Sequence, residues 1–298
     1  MATISPATTD PVASSLIRFR APPLLHQIPK LARYQLREYL RSRRFYAMAG
    51  IIVFLGTVLT AVTGYYRGPL VTDPVTFYGT DWGGAASFLV VLVAVLFGGD
   101  AIAGEFQNKT GYFLMGLPVR RSTVYLGKFL AAYAAAAAMM GLFLGILLAN
   151  GIFYFGSRAA PWQLGLSALL AFVYLGAVLG ATFMFSSLFK TSAYGFVLTA
   201  LLFLIGFTLL QDYISAIAHA QPWMVISYAS GTISSVFDPT VNWGLNGSWT
   251  LMRGDIDKNV VVKIYTVAGV AEGILIMLGY LLVTSLVGLS LFEREDFS

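Results

Sequence analysis

Cysteine is missing from this sequence of 298 residues, and histidine occurs only twice. The absence of cysteine excludes disulfide bonds and zinc–thiolate sites, and it leaves the redox compartment undetermined. The two histidines, His26 and His219, are far apart in sequence. No Ser–His–Asp set, HExxH motif or pair of catalytic acids is evident. The sequence therefore predicts neither a metal site nor an enzyme.

Charged residues are also scarce. They make up 11% of the chain, whereas hydrophobic residues make up 57%. Soluble domains typically contain about 25% charged and about 45–50% apolar residues. A soluble protein of this length needs a charged surface, and this chain has too little charge to form one. Because hydrocarbon solvates charge poorly, the composition indicates an integral membrane protein.

A nucleotide-binding loop is missing as well. Such a loop needs a glycine-rich turn followed by Lys and then Ser or Thr, which together hold phosphates and Mg²⁺. The nearest approach is Gly127-Lys128-Phe129, which lacks both the hydroxyl and the preceding glycine. We interpret Lys128 instead as a side chain that reaches from a membrane helix to the interface. ATP hydrolysis is therefore not predicted for this chain.

Long apolar runs are what the sequence has in place of charge. Six of them are long enough to cross about 30 Å of hydrocarbon as helices, and they lack the alternating pattern of barrel strands. The predicted fold is therefore all-α, an integral membrane protein with six transmembrane helices. The predicted spans are residues 45–65, 83–99, 124–155, 164–189, 193–210 and 264–292. The third is long enough to protrude from the membrane or to break near Asn150-Gly151.

Lysine and arginine are distributed unevenly about these spans. With the N-terminus placed in the cytoplasm, fourteen of the nineteen basic residues lie inside. The five outside are Arg67, Arg158, Arg253, Lys258 and Lys263. Because basic loops tend to stay in the cytoplasm, we predict a multi-pass protein of the cell membrane with both termini inside. The net charge of +5 then reflects topology, and no nucleic acid is predicted as a partner.

Two segments precede the first span. Residues 1–23 are rich in Ser, Thr, Pro and Ala and lack an apolar signal-peptide core, so we predict a disordered cytosolic tail, with a transit peptide as the alternative. Residues 24–44 place leucines on one face of a helical wheel and Arg33, Arg37 and Arg41 on the other. Such a helix lies in the cytoplasmic interface among membrane lipids. It acts either as a topology anchor or as an element that transmits motion into the first span.

The stretch between the second and third spans is the most informative part of the sequence. It begins helical, turns near Asn108, and has a short apolar run that Pro118 stops. Ser122 or Thr123 can cap the next helix, because a hydroxyl accepts from the free N–H groups of a first turn. These features predict a compact helical elbow at residues 99–123. From the residues alone, it is either an ordinary helical loop or a docking surface for a cytosolic partner.

This elbow resembles the signature region of type-2 ABC exporter permeases. Members of that family show a Glu after the second span, then a Gly-Thr pair, an apolar run ending in Leu-Pro-Val-x-Arg, and Gly-Lys. The matching residues here are Glu105, Thr110, Leu117, Pro118, Val119, Arg121, Gly127 and Lys128. Lys109 departs from the pattern, because glycine is usual there, and the glycine follows instead as Gly111. The resemblance extends from about residue 24 to residue 298.

The resemblance implies a permease that pairs with a second permease chain, identical or related, and with two ATPase subunits. ATP and Mg would be bound by those subunits, and an unidentified, amphipathic or apolar substrate would leave the cytoplasm. The elbow would be the coupling helix that receives nucleotide-driven motion. The coupling residues so implied are Gly104, Glu105, Thr110, Gly111, Leu117, Pro118, Arg121 and Lys190. A secondary carrier and a non-transporting membrane assembly subunit are the alternatives.

The outer half of the chain offers two further features. Glu272 is interpreted as the only ionisable residue well inside a span, where such residues default to functional roles. It either lines the substrate pathway or is a protonated or hydrogen-bonded structural residue. The loop at residues 211–263 is either a plain external loop or, as the resemblance implies, a gate of short re-entrant helices.

Glycines recur at helical spacing in three spans. Because glycine lets helices approach closely, we predict helix packing at these positions, and one of these faces can also form the contact between two permease chains. The pairs are Gly141 with Gly145, Gly176 with Gly180, and Gly269 with Gly273.

Overall fold

The protein is described by a computed structural model that covers residues 24–65, 73–107, 120–189, 191–253 and 261–294. The tail predicted at residues 1–23 lies outside the described residues. The helices are α1 (Leu24–Arg41), α2 (Arg43–Tyr65), α3 (Pro74–Gly98), α4 (Ala103–Gln107), α5 (Arg121–Phe155), α6 (Trp162–Leu188), α7 (Ser192–Ala216), α8 (Ile226–Ser230), α9 (Thr232–Ser235) and α10 (Val270–Arg294). The strands are β1 (Ser248–Arg253) and β2 (Val261–Val267).

Six of these helices are long and apolar enough to cross a membrane, namely α2, α3, α5, α6, α7 and α10. The predicted all-α membrane fold with six spans is therefore confirmed. The side of the membrane on which the termini lie stays a prediction. We call the end of the bundle where α3 ends and α5 begins the elbow end, and the end that carries β1 and β2 the hairpin end.

The spans form an inner and an outer group. In α3 and α6, 67% and 72% of the most apolar stretch is buried within the chain, whereas the figure is 17% in each of α2, α7 and α10. The outer helices therefore present apolar side chains to lipid or to another protein chain. The core is built around α6, which packs against α3 on one side and α10 on the other.

α3 begins at Pro74, well before the predicted start at Gly83. Asp73 forms the N-cap, because its side chain accepts a hydrogen bond from the backbone N–H of Thr76 over 3.4 Å. Pro74 suits the first turn of the helix, since the N–H that proline lacks has no partner there. The early turns pack inside the protein, as the fully buried Trp82 shows. The start of the span was predicted too late because polar residues alternate with aromatic residues in these turns.

α5 is continuous across Asn150-Gly151, so the alternative of a break there is wrong. Asn150 donates from Nδ2 to Oγ1 of Thr60 on α2 over 2.6 Å. The hydroxyl of Tyr78 lies against Gly151, where a Cβ atom would overlap it. The helix stops when Gly156 adopts a φ of 59°, which glycine tolerates without steric cost.

α7 runs to Ala216, beyond the predicted end near Leu210. It includes one wide π-type segment at Leu202–Gly206. Such segments are rare and are found mostly as insertions inside α-helices. The result is a longer fifth span that is one continuous helix.

The sixth span is shorter than predicted at its start. Residues 261–267 form β2 rather than helix, and β2 pairs antiparallel with β1 with Thr250 opposite Ile264 and Leu251 opposite Lys263. β-branched residues favour a strand here. The predicted gate loop therefore contains two short helices, α8 and α9, together with a β-hairpin that was not predicted.

The glycine pairs differ in what they contact. Gly180 lies against Thr284 on α10, so a Cβ atom there would come within 2.7 Å of the Thr284 hydroxyl. Gly273 similarly lies against Thr232 of α9. In contrast, a Cβ atom at Gly141 or Gly145 would meet nothing within 4 Å. Close packing is thus confirmed at Gly180 and Gly273, whereas a contact of the α5 pair with a second permease chain stays a prediction.

Candidate functional site

The candidate site is the segment at residues 99–107, which we call the elbow turn. It follows the end of α3, continues through hydrogen-bonded turns at residues 99–102 and enters the short helix α4. The first N–H groups of a helix have no partner within it. Here Oγ of the buried Ser186 on α6 accepts from the backbone N–H groups of Ile102 and Ala103, over 3.1 and 3.0 Å. One side chain of α6 thereby fixes the start of α4.

Lys128 on α5 holds both sides of the elbow turn. Its ammonium donates to the carbonyl of Ala101 over 3.0 Å and to Oε1 of Glu105 over 2.5 Å. The residue is only 5% exposed. A buried charge is tolerated when a counter-charge and hydrogen bonds compensate its lost hydration. The ammonium of Lys128 therefore binds two protein acceptors at the end of α3 instead of reaching into water, and its position at the interface stays a prediction.

A second ion pair joins the elbow turn to α2. Arg44 donates from Nη1 to Oδ2 of Asp100. The Arg44 side chain is 59% exposed and that of Asp100 is 27% exposed. Water screens such a pair, so it contributes much less to stability than a buried one. The two pairs lie on one short segment but in very different surroundings.

The far end of α4 is bound to α7. Oε1 of Gln107 accepts from the backbone N–H of Ser192 over 3.2 Å and from its hydroxyl over 2.7 Å. The side-chain oxygen of Gln107 thus caps the first turn of α7 from outside the helix. Four spans, α2, α5, α6 and α7, are therefore attached to the elbow turn through specific polar contacts.

α1 contacts the end of α3 just before the elbow turn. The hydroxyl of Tyr39 donates to the carbonyl of Phe97 over 3.1 Å, and the two rings meet edge to face with centroids 5.7 Å apart. Burial, together with the negative charge of Asp100, raises the pKa of Tyr39 well above its usual range. The phenol therefore stays protonated and keeps its hydrogen bond.

Glu272 lies in the first turn of α10 and not well inside a span. Its Oε2 accepts from the backbone N–H of Gly269 over 3.2 Å, and its Oε1 accepts from Nε2 of Gln221 over 2.6 Å. A carboxylate is favourable at a helix N-terminus, because it faces the unpaired N–H groups. This geometry favours the structural interpretation of Glu272, while a part in the substrate pathway stays a prediction.

Glu272 is also not the only ionisable residue within a span, contrary to our interpretation. Asp81 lies inside α3 and is 7% exposed, and its Oδ2 accepts from the hydroxyl of Thr63 on α2 over 3.1 Å. Lys128 lies inside α5. Both were missed because the predicted second span began too late and because Lys128 was placed at the interface.

Comparison with known proteins decides the family. The family model described as ABC-2 family transporter protein matches residues 30–297. This chain belongs to that family. It is similar to the probable ABC transporter permease protein NosY of Stutzerimonas stutzeri, with 28% identity over 168 residues. That match covers 51% of this chain and 59% of the length of NosY.

Membership of the ABC-2 family makes this chain a multi-pass membrane subunit of an ABC transporter. The family consists of membrane transport subunits that are not themselves the ATPase. The family that the elbow sequence resembles is therefore confirmed as the family of this chain.

The structure brings together only part of the predicted coupling set of this ABC-2 chain. Glu105 belongs to the elbow turn and binds Lys128. Gly104 belongs to it too, and the nearest atom to a Cβ placed there is 3.8 Å away, so space does not explain the glycine. Arg121 instead donates to the carbonyl of Glu293 over 2.9 Å, which ties α5 to the end of α10. The predicted residues outside the described ranges are Thr110, Gly111, Leu117, Pro118 and Lys190.

Sequence reasoning missed several residues that hold the elbow turn. Asp100 and Gln107 lie within the predicted elbow, and their polar side chains directly after an apolar span were the available signal. Ser186 gave no such signal, since a serine in a span commonly bonds its own helix, as its neighbour Ser187 does with Phe183. Within the described residues, no group of three or more His, Asp or Glu side chains is placed to hold a metal ion.

Proposed function

We propose that this chain is the permease subunit of an ABC exporter and that its elbow turn receives motion from a partner ATPase. In this proposal the elbow end faces the cytoplasm, as the distribution of basic residues favours. The observation that carries the proposal is the attachment of four spans to one short segment. Because each attachment is a directional hydrogen bond or ion pair, a displacement of α4 moves the helices bound to it.

Lys128 gives this coupling its most direct route. It binds Ala101 and Glu105 at once, so a shift of either side of the elbow turn acts on α5. Ser186 acts on α6 in the same way through the first N–H groups of α4. α6 in turn packs along α10, and movement is thereby passed from the elbow turn to the centre of the bundle.

The proposed assembly contains two such permease chains and two ATPase subunits, which bind ATP and Mg. The apolar surfaces of the outer helices α2, α7 and α10 supply area for the contact between permeases and for lipid. The substrate, of amphipathic or apolar character, crosses between the two permeases and leaves the cytoplasm. ATP binding closes the ATPases and drives the change in access.

Purification tests the assembly. The chain is expressed together with its neighbouring genes, and we expect an ATPase to copurify with it and to support ATP-dependent transport. A Lys→Ala change in the phosphate loop of the ATPase is expected to abolish transport while leaving the complex intact. Failure of any ATPase to copurify, or transport that survives the change, would contradict the proposal and favour a carrier driven by an ion gradient.

Labelling tests the orientation, and the chain is suited to it because it has no native cysteine. Arg41→Cys places a thiol at an exposed position near the elbow end, and Thr250→Cys places one at an exposed position on β1. In intact cells a membrane-impermeant maleimide is expected to label only the Thr250→Cys variant. Labelling of the Arg41→Cys variant before lysis would reverse the orientation.

A further inference from the structure

A cleft of about 500 Å³ opens at the hairpin end, between the first turns of α3 and α6 and the segment that follows α9. This volume lies within the range of small-molecule sites. Its lining residues fall into an apolar floor and a polar rim. The floor includes Val236 and Phe237, which are 2% and 7% exposed, and the rim includes Asp73 and Asp238.

Two tryptophans form one wall of the cleft. Trp162 and Trp243 are stacked, with ring centroids 5.8 Å apart and an interplanar angle of 26°. They come from different elements, the start of α6 and the loop before β1, yet they remain 63% and 48% exposed. Each ring therefore offers π-surface to a ligand. Such surfaces attract cations, most strongly when the ring is an indole.

The cleft contains acidic residues at its rim. Its ionised lining residues are Asp73 and Asp238. The hydroxyl and backbone N–H of Thr240 donate to Oδ1 of Asp238, over 2.7 and 2.8 Å, and these bonds lower the pKa of Asp238 below its usual value. Asp73 caps α3 and so offsets the partial positive charge at that helix start. The uncapped start of α6 adds only a partial positive charge of about one half, so the full charge of Asp238 outweighs it.

The cleft is also preformed, because its floor is pinned to α3. A Cβ atom at Gly79 would come within 3.2 Å of Phe237, and one at Gly83 within 3.1 Å of Ser234. Ser167 of α6 fastens the same segment by donating to the carbonyl of Ile233. A rigid site loses little conformational entropy when a ligand binds.

From this combination we infer that the cleft is a binding site for an organic ammonium group, a cation that carries an apolar substituent. The apolar floor takes the substituent, the indole rings face the cation, and Asp238 supplies the counter-charge. An anion is disfavoured by the charge of Asp238, and a purely apolar ligand makes no use of that charge. The inference does not rest on coupling to an ATPase, because it concerns only the hairpin end. The ammonium group can belong to a soluble amine or to a lipid headgroup.

Tryptophan fluorescence of the purified full-length chain tests the site. The chain has five tryptophans, and a Trp223→Phe, Trp249→Phe background keeps the pair in the cleft together with the buried Trp82. Choline chloride is titrated at constant ionic strength against sodium chloride, and 3,3-dimethyl-1-butanol serves as the uncharged analogue of the same shape. We expect a saturable change with choline and none with the alcohol.

Matched variants assign the change to the cleft. Asp238→Asn removes the charge but retains an oxygen for the bonds from Thr240, and it is expected to weaken choline binding about fivefold or more. Trp243→Ala is expected to weaken it about threefold or more. Asp212→Asn removes an exposed carboxylate of α7 that does not line the cleft, and it is expected to leave binding unchanged. Size-exclusion profiles establish that each variant is folded.

Three outcomes overturn the inference. They are equal responses to choline and to the alcohol, equal binding by the Asp238→Asn and Asp212→Asn variants, and the absence of any saturable response, which leaves the tryptophans as membrane anchors. A comparison of nanodiscs separates the two sources of the ammonium group. If lipid headgroups occupy the cleft, choline binds more weakly in phosphatidylcholine discs than in phosphatidylglycerol discs, whereas equal binding in the two assigns the site to soluble amines.

Discussion

The two ends of the helix bundle are held together in different ways. At the elbow end, charged and polar side chains from four spans converge on the elbow turn, and Lys128 is buried among its acceptors. At the hairpin end, polar contacts such as that of Gln221 with Glu272 are joined by close approach of glycine, as at Gly83, and by the stacked Trp162–Trp243 pair. Directional polar bonds fix the relative positions of the atoms that they join, and close-packed surfaces resist compression.

The proposed function gives different tasks to the two ends. An end that must follow a partner's movement benefits from connections that cannot slide, and buried ion pairs have that property. An end that shapes an opening benefits from preformed surfaces. Burial determines how much an ion pair contributes to stability. The elbow turn allows a direct comparison, because it carries one buried and one exposed ion pair within a few residues.

The largest effect is expected from breaking the buried pair. Glu105→Ala leaves Lys128 inside the protein without its counter-charge, and removal of one partner from a buried pair typically costs about 3–5 kcal/mol. Because the Glu105 side chain is 22% exposed, we expect about 3 kcal/mol, at the low end of that range. The measurement is the thermal unfolding midpoint of the purified protein in detergent, which should fall clearly.

Asp100→Ala is the matched control for this change, because it breaks the exposed pair with Arg44 on the same segment. Such pairs are worth about 0–1 kcal/mol, so its midpoint should shift little. Exchange of the buried charges in a Glu105→Lys, Lys128→Glu double variant should recover part of the loss. Equal midpoints for the Glu105→Ala and Asp100→Ala variants would remove the distinction between the two pairs.

A smaller loss is expected at Ser186. Ser186→Ala leaves the N–H groups of Ile102 and Ala103 without their acceptor, and an unsatisfied buried donor costs about 1–3 kcal/mol. We expect about 2 kcal/mol, together with faster hydrogen exchange at these two amides. Hydrogen exchange measured by mass spectrometry over the elbow turn checks the local effect.

The adjacent Ser187 supplies the control. It is also buried, but its hydroxyl donates to the carbonyl of Phe183 within the same helix, and the carbonyl keeps its helical partner when the hydroxyl is removed. Ser187→Ala should therefore leave exchange in the elbow turn unchanged. If both variants accelerate it equally, Ser186 does not hold the start of α4.

The hairpin end is tested by overpacking. Gly83→Ala puts a methyl group 3.1 Å from Cβ and 3.2 Å from Cα of Ser234, and the backbone atom cannot rotate away. We expect a loss of about 1–2 kcal/mol and weaker choline binding, because the floor of the cleft is displaced. Thermal unfolding and the fluorescence titration measure the two effects.

Gly84→Ala is the control on the neighbouring residue. Nothing lies within 4 Å of the added Cβ, and alanine favours a helix over glycine by about 0.5–1 kcal/mol. The variant should be as stable as the parent or slightly more so, with unchanged choline binding. Destabilisation by both variants to the same degree would show that close approach to Ser234 is not what constrains this position.

The sequence was sufficient for the features that composition and periodicity encode. Six apolar runs and an amphipathic segment define the spans and α1, and the order of Glu105, Pro118 and Arg121 led to the family. What escaped prediction depends on contacts between distant residues. The inward turn of Lys128 requires Ala101 and Glu105 to lie beside it, and the strand at residues 261–267 requires β1 as a partner. A hydrophobic run alone does not distinguish that strand from the start of a span.

The smallest change in stability is expected at Glu272, at the hairpin end. If it acts as a cap, Glu272→Gln keeps an oxygen that accepts from Gly269, and the loss of charge at the start of α10 costs about 0.3–1 kcal/mol. Glu272→Ala removes the acceptor as well and also frees Gln221, so its unfolding midpoint should fall further. A part in the substrate pathway gives the opposite pattern, because Glu272→Gln would then abolish transport with little change in stability. Transport and unfolding measured on both variants distinguish a residue that fixes the hairpin end from one that contacts the substrate.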